Sequence, residues 1–344
     1  MARKTFRKVI VTEELLQQIN PENKKLIGKF LREKSTRSSD LTVRNYLSDL
    51  NIFFVWNILH NENKLFTNIK KLEFSDFFYF TTNELKYGSA RNNRMRSSLS
   101  SLSIFIEKFL DEEYPNFRNI ILKTIESVPK EARREKTILT DQQVEDLLRY
   151  LSQTDKQKAF WLALAAYSGS RFSELFRFTT DIIDVNHTAF GELFIETLKP
   201  IRTKGRGKEG KLLYKYILRD KFIPYYNDWM EERNNIMLEK QKEHNFFFIK
   251  EDGTPATDGT VRSWIASMER HLGVNLYPHC LRHYLVTEFS RKNIPPLLIK
   301  DLVGWSSISM VEIYNDLTSK DREWKELENL KQNNPPIREV LEGG

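Results

Sequence analysis

Cysteine is almost missing from this chain: Cys280 stands alone among 344 residues. A single thiol cannot form an internal disulfide, which fits a reducing, intracellular setting. Long hydrophobic runs are missing too. FWLALAAYS is among the longest, and it falls far short of the roughly 20 residues that span a bilayer. The opening MARKTFRKVIVTEE is basic but lacks the apolar stretch of a signal peptide. No internal repeat or low-complexity tract is present. No cluster of carboxylates stands ready to hold magnesium, and no HExxH occurs. Charge of one sign is only in modest excess, 54 Lys and Arg against 47 acids for a formal +7. That balance alone is a weak pointer to a polyanion partner.

What the chain has is aromatic mass, 23 Phe, 13 Tyr and 6 Trp, which argues for well-built cores and against disorder. Its length suits two domains. Residues 1–36 read as a basic tail followed by a helix. From Asp40, LTVRNYLSDLNIFFVWNIL places Tyr46, Leu47, Leu50, Phe53 and Phe54 at helical spacing. Ser75 is the expected N-cap of a second helix that stops near Gly88. A third carries Met95, Leu99, Leu102, Ile106 and Phe109 on one side. Nothing alternates like a strand, so residues 37–125 are expected to be an all-helical domain. The stretch 126–138 combines Pro129 with dense charge and no apolar period, and reads as a linker.

A second domain, 139–330, begins at Thr140, with Gln143 in the position of a capping box. Its expected architecture is mainly α with a small β insert. TDKQKAFWLALAAYSG reads as a buried helix closed by Gly169. Residues 191–218 read as two strands around a Gly/Lys loop. Helices are expected near 260–271, 279–291 and 296–302, and residues 331–344 as a C-terminal tail.

Four places in that domain carry unusual polar chemistry. SGSRFSEL puts Arg171 at a turn behind a buried helix, where it is either a surface arginine or an anion fork. PHCLRHY opens on Pro278, suited to a helix start, and puts His279 and Arg282 on one face. His279 and His283 are four apart, as in a zinc pair, but one cysteine and no third ligand at a recognisable spacing argue against metal. IRTKGRGKEGK offers lysines that either lie in solvent or reach a phosphate. LVGWSSISMVEIYNDL offers the Trp305 indole, a donor only, and the Tyr314 phenol, either core or nucleophile. Together these are donors and cations around one hydroxyl. That inventory suits a phosphodiester passing through a pentacoordinate transition state, where arginine forks match two non-bridging oxygens.

The order Arg171, hairpin lysine, His-x-x-Arg, Gly-Trp, then Tyr resembles the tyrosine recombinases, the lambda-integrase family, and within them the simple Cre-like members. Many members have histidine where this chain has Trp305. The resemblance covers 139–330 in detail and the first domain more loosely, as a helical core-binding domain. It implies a site-specific recombinase that cuts and rejoins DNA without metal, ATP or other cofactor. Tyr314 would form a 3′-phosphotyrosyl link; Arg171 and Arg282 would hold the non-bridging oxygens. His279 would accept or relay the tyrosine proton, Trp305 would donate to a phosphate oxygen, and Glu174 would orient its neighbours. Lys204 best matches the lysine that protonates the 5′-hydroxyl, with Lys199 and Lys208 as rivals because hairpin register is not legible in sequence.

Candidates for DNA contact are Arg37, Arg44, Lys86, Arg91, Arg94 and Arg96, with Lys130, Arg133, Arg134 and Lys136 in the linker. Cations at a helix start favour phosphate, although a solvated helix end looks the same in sequence. The expected arrangement is a C-shaped clamp on double-stranded DNA bearing inverted-repeat sites. The family implies a helix after Tyr314 that docks in a neighbour, giving a homotetramer on two sites from a protein that is monomer or dimer alone. A cytoplasmic, nucleoid-associated setting and a prokaryotic, phage or mobile-element origin follow from the same resemblance. Competing readings are a type IB topoisomerase or telomere resolvase, and a non-catalytic DNA-binding regulator.

Overall fold

The computed structural model describes residues 10–121, 125–127, 129, 137–205, 209–309 and 311. Two units are distinguished by their internal contacts, one up to residue 134 and one from residue 135 on, the loop 206–209 apart. Tyr314, Arg133, Arg134, Lys130, Lys136 and Lys208 lie outside the described residues, as do the expected terminal helix and tail.

The first unit is helical because its helix starts are well specified. Asn20 caps α2 (Pro21–Arg37) through its side chain, with Pro21 at the first helical position. Ser39 caps α3 (Asp40–His60) the same way. Short α1 (Glu13–Gln18) precedes them, and α4 (Lys71–Asn83) and α5 (Ser89–Phe109) follow. The middle of α3 is apolar all round, with Leu50, Ile52, Phe53, Phe54, Val55 and Trp56 all buried, as a helix through a core must be. Phe53 stacks on Phe74 at 5.5 Å and meets Phe77 edge-on at 4.9 Å. Each such side chain contributes about 1.5–3 kcal/mol by burial.

Three expectations are corrected in this unit. The helix expected to be capped by Ser75 starts at Lys71, because the Glu73 carboxylate caps the Lys70 N–H at 2.7 Å. Leu47 and Phe109, expected on apolar faces, are exposed. The helix expected within residues 1–36, outside the domain 37–125, runs Pro21–Arg37 and puts Leu26, Ile27 and Phe30 into the same core as Phe53.

The second unit is built on α7 (Lys156–Ser168), whose residues from Ala159 to Ser168 are all buried. Around it pack α6 (Asp141–Thr154), α9 (Arg219–Glu239) and α11 (Pro278–Arg291). The Thr140–Gln143 capping box forms as read from sequence. Short α8 (Phe172–Leu175) follows the α7 end, and α10 (Asp258–Leu272) and α12 (Pro296–Val303) complete the described helices.

The β insert is richer than two strands. Five short strands form: β1 (Thr188–Ala189), β2 (Phe194–Glu196), β3 (Ile201–Thr203), β4 (Lys211–Leu213) and β5 (Tyr216–Leu218). Antiparallel β1-β2-β5 make one sheet and the β3-β4 hairpin another. The break falls between Leu213 and Tyr216, where the chain leaves the hairpin and pairs with β2, Ile195 opposite Ile217. Among the described residues no helix is long and apolar enough to cross a membrane.

Candidate active site

Two left-handed turns shape the site. Gly169 closes α7 at φ +56°, and a Cβ there would lie 2.9 Å from Leu285 Cδ2. Gly304 closes α12 at φ +73°, and its Cβ would lie 2.9 Å from Leu213 Cδ1. Only glycine combines that backbone with that proximity. The chain thus turns sharply just before Arg171 and just before Trp305.

Arg282 joins the two turns. It stands on α11, is 2% exposed, and donates from Nη1 to the Gly169 carbonyl at 2.7 Å and from Nη2 to the Val303 carbonyl at 3.0 Å. Its guanidinium lies 5.0 Å from the Trp305 ring centroid. Trp305 itself is buried in a small apolar cluster with Leu285, Phe289, Leu302 and Val303. The helix that carries Arg282 starts at Pro278 because proline there gives up an N–H that has no partner anyway.

Arg171 caps α8, and Glu174 answers it. Glu174 Oε1 accepts from Arg171 Nη1 at 2.8 Å and Oε2 from the Arg171 backbone N–H at 3.0 Å. Glu174 is fully buried. A third partner is one that reading the sequence missed. Lys215 Nζ, also buried, donates to Glu174 Oε2 at 2.8 Å. A signal was available: in LLYKYIL, period two puts Lys215 on the face of Ile217. Burial alone would push the Glu174 carboxyl up, but the Lys215 charge and the hydrogen bonds from Lys215 and Arg171 outweigh it and hold the pKa at about 2. Burial pulls the Lys215 ammonium below its ordinary value despite the Glu174 partner. The Glu174 carboxyl is ionised at neutral pH.

His279 sits on the first turn of α11. Partial burial of its ring, then the Arg282 and Arg171 charges, hold its pKa below the ordinary value, and Lys204 acts in the same direction. A neutral imidazole, able to accept a proton, follows at pH 7. Lys204 is exposed at the end of β3. Its rival Lys199 pairs with Asp181 at 3.5 Å instead. No group of three or more His, Cys, Asp or Glu suited to a metal occurs among the described residues.

The DNA-contact candidates divide. Arg37, Arg44 and Lys86 are exposed, and Arg91 lies over the Tyr87 ring at 3.7 Å. Arg94 forks onto buried Asp49 at 3.0 and 2.6 Å, and Arg96 donates to the Ile125 carbonyl at 2.6 Å. Those last two bond to partners within the first unit.

A mainly helical domain with a small β insert is the architecture of the tyrosine recombinases, enzymes that cut and rejoin DNA strands. The phage integrase family pattern matches residues 137–321, and the chain belongs to that family. It is 28% identical over 247 residues to the SPbeta prophage-derived recombinase-like protein YomM of Bacillus subtilis (strain 168), covering 71% of this chain and 70% of that one. It is 22% identical over 285 residues to tyrosine recombinase XerD of Oceanobacillus iheyensis, covering 81% and 89%. Among solved structures, XerH site-specific recombinase bound to palindromic difH substrate superposes with TM-score 0.68 at 18% identity, covering 91% and 97%. That likeness shows the fold.

Proposed function

We propose that the strand cutting proceeds through a covalent phosphotyrosine. The Tyr314 oxygen attacks the scissile phosphorus and passes its proton to neutral His279. The bond from phosphorus to the 5′-oxygen breaks, and Lys204 supplies that oxygen with a proton. Arg171 and Arg282 neutralise the two non-bridging oxygens as their charge grows, and Trp305 donates its N–H beside them. The exchange conserves a phosphoester bond, so rejoining needs no ATP. The observation that carries this reading is the Arg282 side chain, which ties the turn before Arg171 to the turn before Trp305. The preference for Lys204 over Lys199 rests on its charge being felt at His279 while Lys199 is held by Asp181.

The substrate is duplex DNA with inverted-repeat sites, with Arg37, Arg44, Lys86 and Arg91 on phosphates and the linker cations Arg133 and Arg134 as further phosphate contacts. Four copies act on two sites. The setting is the bacterial cytoplasm or a phage or mobile element active within it, in keeping with the prophage-derived relative. The test is a nicked suicide substrate. Wild type accumulates a protein–DNA adduct in EDTA and Tyr314→Phe none; adduct formation by Tyr314→Phe, or dependence on added metal, would refute the mechanism.

A further inference from the structure

Lys215 has no task in the reaction just described, yet it is the one lysine buried among the described residues. A buried ammonium is costly unless it is paired and held. Its backbone is held: Lys215 N–H donates to Thr197 Oγ1 and its carbonyl accepts from Thr197 N–H, both at 3.0 Å. Its Nζ is held by Glu174, whose other contacts both go to Arg171. The ammonium also lies beneath the Gly304 turn, 3.6 Å from where a Cβ would stand. It is therefore bonded to the segment that carries Arg171 and lies beside the one that leads into Trp305.

We propose that Lys215 is a positioning residue: clamped between the hairpin and β5, it fixes the Glu174 carboxylate, and through it aims the Arg171 guanidinium at the phosphate beside Arg282. This rests on the recombinase reading above. It is not the general acid, because its Nζ is sealed from solvent and occupied by Glu174. The arrangement is a cation that keeps an anion that keeps a cation. Without Lys215, burial raises the Glu174 carboxyl, and protonation would release Arg171. The charged groups around Glu174 are Arg171 from its own turn, Lys215 from the strand junction, and Arg282 and His279 from α11.

The test uses the full chain on a nicked suicide substrate, with wild type, Lys215→Met, Glu174→Gln and the double variant. Lys215→Met is expected to bind DNA within about threefold of wild type while adduct formation slows about 100-fold, the order lost with one preorganised donor. The acidic limb of its pH–rate profile should move to higher pH, and adding Glu174→Gln should abolish that limb with little further loss. A fold defect alone would move neither limb. If Lys215→Met does not fold, the double variant, which removes both charges, decides: slow cleavage with intact binding supports the clamp. Wild-type rate and pH profile in either variant, or defects of the two single variants that multiply in the double, overturn it. So does rescue of Lys215→Met by a 5′-bridging sulfur leaving group, which needs no proton and would make Lys215 the acid. An inert wild type would instead count against the recombinase mechanism itself.

Discussion

Replacing Glu174 by glutamine keeps the shape of the side chain and removes one charge from a site that then holds Arg171, Lys215 and Arg282 around a neutral amide. The carboxyl moves from an ordinary 4.5 to about 2 in the folded protein. A drop of that size is worth about 3 kcal/mol of stability at pH 7. Breaking a buried ion pair by removing one partner costs about 3–5 kcal/mol, which agrees. At about 2–4 °C per kcal/mol for a domain of this size, Glu174→Gln should melt about 6–12 °C below wild type at pH 7. The folded value lies below the unfolded one, so this stabilisation is complete above pH 4.5 and disappears as pH falls towards 2. At pH 4 about 1 kcal/mol of it is gone and the gap between the two proteins should narrow. Thermal melts followed by circular dichroism at both pH values provide the measurement. Equal melting temperatures at pH 7, or a gap that widens on acidification, would refute the claim that Glu174 is an ionised anchor.

Gly169→Ala meets Leu285 Cδ2 at 2.9 Å in a left-handed turn and should cost about 1–3 kcal/mol, with cleavage falling more than DNA binding because Arg282 grips the Gly169 carbonyl; a gel-shift beside a cleavage assay separates the two. Thr140→Ala removes the capping box of α6 and should cost about 1 kcal/mol in urea denaturation without altering the cleavage rate of the folded protein. Lys86→Ala should weaken binding alike on any duplex and lower the slope of log K against log salt by about 1, whereas Arg94→Ala should chiefly lower the melting temperature, because it removes the charged partner of buried Asp49 and leaves it the Ser98 hydroxyl as donor.

Much of the candidate site's local framework was legible because its signals are local. A glycine after a buried apolar run announces the turn at Gly169, and proline before a helical pattern announces the start at Pro278. Arg171, His279, Arg282 and Trp305 could each be put forward as candidates because they sit at fixed offsets from such punctuation. The helix at 71–83 was misplaced because Ser75 and Lys70 offer competing starts, and Glu73 settles the matter by reaching back to the Lys70 N–H.

The sequence by itself determined the helical character of both units and the family's ordered boxes. These depend on periodicity, caps and spacing within a dozen residues. Tertiary structure decided which charges meet. Lys215 and Glu174 are 41 residues apart, as are many pairs that never touch, and Arg94 met Asp49 across 45. Such pairing is fixed by how strands and helices fold back on one another, and the cost of leaving a charge buried alone, rather than any local preference, selects the partner.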